Sequence, residues 1–132
     1  MKKIYWVLII VGILIISWFL IRFIIGGSED SWIKDDKGVW IKHGNPAIIP
    51  DYVKEQQTVI ECALSLYQEK KQEGLVFNSQ CLGTCGNYAV DIVHVPRNDE
   101  DDKIENQCSD YREGKVTGFT ELDKEGNIVR AV

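Results

Sequence analysis

The sequence predicts an α+β domain, one helix packed on an antiparallel sheet and stapled by disulfides, carried behind an N-terminal transmembrane helix. Three observations predict it. Residues 4–25 form a single apolar run in which only Ser17 and Arg22 are polar. Asp51–Glu73 carries apolar residues at helical spacing, whereas the rest of the chain alternates short apolar runs with turn residues. Four cysteines, Cys62, Cys81, Cys85 and Cys108, all lie behind the apolar run. The expected organisation is a cytoplasmic tip (1–3), an anchor (4–25), a tether (26–30) and an extracytoplasmic domain (31–132).

A helix of about 20 apolar residues spans the hydrocarbon core of a bilayer. A signal-peptide core is shorter, roughly 7–15 residues, and ends at a small-residue cleavage site. Length favours a retained anchor here, although Gly26-Gly27-Ser28 would serve as a cleavage site. Tyr5 and Trp6 at one end, and Trp18 and Phe19 near the other, suit headgroup depth. Arg22 lies close enough to the far end to snorkel outwards. Lys2 and Lys3 precede the run, and positive residues stay cytoplasmic, so the remainder is expected outside. Gly12 has no small partner at helical spacing to argue for helix dimerisation.

Residues 26–30 read as a short flexible tether. Ser31–His43 reads as a hairpin around Asp35-Asp36-Lys37-Gly38, with Trp32 and Trp40 in its two strands. Asp51–Glu73 starts after Pro50 and stops at Gly74. Its stripe of Val53, Val59, Ile60, Ala63, Leu64, Leu66 and Tyr67 is the face to bury, and Cys62 borders it. Leu75–Phe77 suggests a short strand and Asn78–Asn87 a loop. Tyr88–Val95 is apolar except at Asp91 and His94, as in a central strand covered on both sides. An acidic loop over Asn98–Asp110 follows Pro96. Lys115–Leu122 and Ile128–Val132 then pair across a turn at Asp123–Asn127.

All twenty acids and twelve of the fifteen bases follow the anchor, so the soluble part carries a formal charge of −8. That disfavours nucleic acid and anionic lipid headgroups, which need a basic surface. A domain of about 100 residues holds one modest core, for which disulfides matter.

An even cysteine count in a small extracytoplasmic domain implies two bridges. A Cys81–Cys85 bridge would staple nothing distant. The expectation is that Cys81 and Cys85 each join one of Cys62 and Cys108, with both such patterns open. Three other chemistries compete with that structural role. Four thiolates suit zinc, but only Cys81 and Cys85 form a close pair. The same pair, one residue wider than C-x-x-C, suits redox exchange. Cys85 with His94 would make a nucleophile and base, but no third partner is evident. No catalytic, cofactor or metal residue is assigned.

Asn98, Glu100 and Asp102 place oxygens at alternating positions, faintly like a calcium loop, without its glycine and terminal glutamate. A solvated acidic loop is favoured. Trp32 and Trp40 would pack under the helix, line a contact surface or rest in the membrane interface. His43 has no evident partner.

The stretches Cys81–Arg97, Glu105–Cys108 and Glu121–Arg130 resemble a group of small uncharacterised archaeal secreted or membrane-anchored proteins that contain cysteines. The resemblance implies no activity and no catalytic residues. Pilins share the outline, but the charged leader, cleavage glycine and early glutamate they carry are missing between Met1 and Val11. The expected function is therefore a single-pass, membrane-anchored extracytoplasmic binding or assembly module, non-enzymatic, touching the bilayer through residues 4–25 and possessing a protein partner or self-assembling. A pilin-like filament or secretion-system subunit is the alternative. A thiol–disulfide or metal-binding protein is the minority one.

Overall fold

A computed structural model describes residues 2–25 and 29–132. The chain divides into two compact units, residues 1–33 with 41–50, and residues 34–40 with 51–132.

The first unit begins with α1 (Lys2–Leu20), which runs on into a π-helical turn at Ile21–Ile25. The stretch Lys3–Ile24 has a mean hydropathy of 2.8 and is long and apolar enough to cross a membrane. A signal sequence near the N-terminus meets the same criteria. Of the expected tether, residues 26–28 lie outside the described residues, as does Met1 of the expected cytoplasmic tip. Asp30 does not simply lead away from the helix. It receives Arg22 Nη1 at 2.6 Å. Asn45 donates its amide to the Phe23 carbonyl at 2.7 Å, which satisfies one of the acceptors a helix end leaves open.

Strands β1 (Ser31–Lys34) and β2 (Trp40–His43) form the expected hairpin as a two-stranded sheet. Its turn closes through Asp35, whose carboxylate accepts the Lys37 and Val39 amides.

The second unit holds the core. Helix α2 (Asp51–Gln72) buries Val53, Gln56, Val59, Ala63 and Tyr67, one face at spacings of three and four. Buried Gln56 is satisfied by the hairpin tip: it accepts from Trp40 N at 2.7 Å and donates to Gly38 O at 2.9 Å. The sheet against α2 has the order β3 (Gln80–Cys85), β4 (Tyr88–Ile92), β5 (Gly118–Leu122), β6 (Ile128–Ala131). Leu82, Val90, Ile92 and Leu122 point at Val59, Ala63 and Tyr67. The Thr120 hydroxyl, in the register position of Val90, is the one buried side-chain polar atom without a partner among the described residues. Tyr67 stacks on Phe77 and donates to Lys124 O at 3.0 Å. Gly126, at φ +90°, admits that ring; a Cβ there would lie 2.6 Å from it.

The α+β architecture holds, and four local readings change. Residues 80–85 are strand rather than loop, because pairing with β4 outweighs the weak strand propensity of a segment containing Gly83. Leu75–Phe77 is not a strand; Leu75 and Val76 are exposed, and Phe77 is drawn onto Tyr67. The sheet is mixed, since β4 and β5 are parallel. A parallel pair needs a long crossover, which residues 93–117 supply. That crossover is not a plain loop. It carries 3₁₀ turns at Asp99–Asp102 and Ile104–Asn106 and a short helix α3 (Ser109–Arg112). Strand β4 does lie centrally, between β3 and β5, as its apolar run predicts.

Candidate functional site

Alternation along the strands leaves one sheet face polar. Val90, Ile92 and Leu122 face α2, so Asp91 and Glu121 face away from it. Register then aligns Cys81 with Asp91, Asp91 with Glu121, and Glu121 with Arg130. One rung across all four strands therefore carries a disulfide sulfur, two carboxyls and a guanidinium. The crossover folds over this rung and leaves a cavity of about 240 Å³ between them. Arg97, Asp101, Asp102, Gln107 and Tyr111 line it from the crossover side.

Glu121 is almost fully buried and holds both arginines. Arg97 Nη1 donates to it at 2.6 Å, and Arg130 Nε at 3.2 Å. Arg97 also reaches Asp102 at 3.0 Å. Burial works against the Arg97 charge, but its bonds to Glu121 and Asp102 prevail and raise its pKa above the ordinary arginine value. Asp91 differs. It accepts the Cys108 amide at 3.0 Å and forms no ion pair among the described residues. Burial, joined by the Glu121 charge, pushes its pKa up to about 6, against the opposing pull of the Cys108 amide and Arg97.

The rim is held by Asp101. Its buried carboxylate accepts the backbone amides of His94 and Asn98, at 3.0 and 2.9 Å, and the His94 ring nitrogen Nδ1 at 2.9 Å. Burial alone would raise its pKa; these bonds outweigh it and lower it. His94 is thus a positioning partner of Asp101, away from Cys85.

The bridges are Cys62–Cys85 and Cys81–Cys108, one of the two patterns left open. Cys62–Cys85 ties α2 to the sheet edge, while Cys81–Cys108 ties the crossover to the opposite face. Cys81 and Cys85 therefore serve different layers and do not act as a pair. No cysteine is free, so the four-thiolate zinc cluster and the Cys85 nucleophile do not exist in this state. The Asp91 carboxyl lies within 4.8 Å of Cys81 and Cys108 Sγ. Those sulfurs are bonded to each other, which leaves the carboxyl as the group's open donor.

The oxygens that suggested calcium are dispersed. Asn98 caps the 3₁₀ turn by accepting Glu100 N, Glu100 pairs with Lys103, and Asp102 pairs with Arg97. Trp40 packs on Tyr52 of α2 with Lys34 over its ring, and Trp32 donates to Ile48 O at 3.0 Å. His43 is exposed. Sequence reasoning missed Arg97, Glu121 and Arg130 as a group. The one available signal was Asp91, a charge inside an otherwise apolar strand.

No family model, curated protein or solved structure matches this chain.

Proposed function

We propose that this chain is a single-pass, membrane-anchored extracytoplasmic binding module, non-enzymatic, whose ligand site is the cavity over the Asp91–Glu121–Arg130 rung. The observation that carries this reading is the inequality of the charges in that cavity. Glu121 and Asp102 are engaged by arginine, and Asp101 by His94. Asp91 is left with a single backbone donor in a half-buried position. A small polar ligand that offers an N–H or ammonium group to the second oxygen of Asp91 would complete the set. Two disulfides favour an oxidising compartment, and the apolar N-terminal helix favours attachment there. The ties from Arg22 to Asp30 and from Asn45 to Phe23 favour retention of the helix, because a cleaved signal leaves such contacts behind.

The test is a panel of amino-bearing solutes (free amino acids, linear polyamines and short peptides) titrated into the isotope-labelled full chain in nanodiscs. Amide shifts at Asp91, Arg97, Cys108 and Glu121 that saturate with one solute class, and that vanish in Asp91→Asn, are expected. Shifts scattered over the surface, or unchanged by Asp91→Asn, would refute the site.

A further inference from the structure

The hairpin base and the turn after it carry exposed isoleucines in the same compact unit as α1. Ile33 and Ile41 are 41% and 42% exposed, Ile49 is 42% and Ile48 is 76%. Equal strand spans and the Asp35 N to Val39 O bond place Ile33 opposite Ile41 on one face of the hairpin. Trp32 holds the following turn in place through its bond to Ile48 O. Four large aliphatic side chains in one unit are left unburied, an exposure that water disfavours.

What lies next to that surface is set by the end of the helix. Arg22 and Phe23 are the residues that meet Asp30 and Asn45. From Ile4 to Arg22 a helix rises about 27 Å, so a span beginning at Ile4 places Arg22 close to the far edge of a hydrocarbon core about 30 Å thick. Beyond that edge lies a polar headgroup layer of roughly 5–7 Å on each side. Ile33 stands three residues from Asp30, and Ile48 three from Asn45. At about 3.4 Å per extended residue, both lie within about 10 Å of the tie points, at the depth of that layer or just outside it. The exposed aliphatic groups of this unit thus stand close in the chain to the residues tied to the end of the apolar helix. The soluble part is net acidic, so charge attraction to anionic lipid would not be what holds it.

We infer that the hairpin base and the turn after it rest on the bilayer, with Ile33, Ile41, Ile48 and Ile49 inserted among the lipid headgroups beside the point where α1 leaves the membrane. The inference rests on the anchor reading above. It makes the hairpin base and the turn after it a second point of contact with the lipid, beside α1. The backbone of the hairpin remains in hydrated headgroup space, where its edge groups keep water as a partner.

The test uses the full chain with Ile48→Cys, and separately Ile41→Cys, labelled with an environment-sensitive nitrobenzoxadiazole dye and reconstituted into phosphatidylcholine vesicles. The native cysteines are bridged and do not react, and a count of one thiol per chain verifies that each variant has folded with both bridges. Severalfold stronger quenching of the dye by lipids carrying a headgroup nitroxide than by unlabelled lipids is expected at both positions. An unquenched dye would overturn the inference. If iodide then quenches it, the surface faces water; if iodide does not, a second copy or another part of the protein covers it. The intact mass of the chain purified from cell membranes separates this failure from that of the anchor. Retention of residues 1–25 with an unquenched dye sinks only the seating on lipid, whereas their loss sinks the anchor reading itself.

Discussion

The two faces of the four-stranded sheet are built from opposite chemistry. The face toward α2 is apolar: Val90, Ile92 and Leu122 meet Val59, Ala63 and Tyr67. The face toward the crossover carries Asp91, Glu121 and Arg130, with a smaller apolar patch of Ala89, Cys108, Val116 and Phe119. A helix with a regular apolar stripe needs only burial to hold it, at about 25 cal/mol per Å² of apolar surface removed from water. The crossover, short of apolar residues, is held instead by a disulfide, an arginine bound to two carboxylates and a buried Asp101. One face is therefore a core, and the other is an attachment that leaves room for a cavity.

The largest effect that tests this contrast comes from the bridges. Their sequence separations are 23 and 27, so unfolded-chain entropy predicts a similar loss of about 3.5 kcal/mol for removing either one. Their local consequences should differ. With Cys81→Ser and Cys108→Ser, amides over residues 93–117 should lose hydrogen-exchange protection while α2 keeps it. With Cys62→Ser and Cys85→Ser, α2 should remain protected, because its apolar stripe still holds it. Loss of α2 protection in the Cys62/Cys85 variant, or retained protection over residues 93–117 in the Cys81/Cys108 variant, would break the comparison.

A smaller effect comes from Asp91. Its folded pKa of about 6 lies above the unfolded value of about 3.9. A raised carboxyl binds more protons in the folded state, so its contribution is complete below about pH 3.9 and is lost as the pH rises through about 6. Asp101 is shifted the other way, and its contribution is lost only as the pH falls through its own lowered pKa. Between roughly pH 4 and 6.5 the Asp91 trend is therefore separable. Asp91→Asn should flatten it and stabilise the chain by about 2 kcal/mol at pH 7.5, read from urea midpoints. An unchanged pH profile would show that the carboxyl is solvated.

The smallest effect lies on the helix side. Thr120 puts an unpaired hydroxyl into an apolar surrounding. Thr120→Val replaces it with a methyl group and should stabilise by about 1 kcal/mol in thermal or urea unfolding. Destabilisation would mean that the hydroxyl has a partner.

Much of the helix-side face was legible along the chain. The stripe from Val53 to Tyr67, its stop at Gly74 and the apolar strand beginning at Tyr88 all follow from local periodicity. The cysteines were readable as bridges, but not which of two pairings they adopt, since that depends on which layer each strand faces. Strand β3 was hidden, because Gly83 and Thr84 look like loop until β4 pairs with them. The candidate site was the least legible part. Arg97, Glu121 and Arg130 sit far apart in sequence, and each alone reads as a surface charge.

The chain alone determined the apolar N-terminal helix, the amphipathic helix, the turns and the oxidised state of a small domain. Each of these depends on neighbours within a few residues or on composition. Tertiary structure decided the parallel pairing of β4 with β5, and with it the rung from Cys81 to Arg130 and the cavity above it. Register between distant strands is set by which faces can be buried together, and that is a property of the packed sheet that no single strand carries.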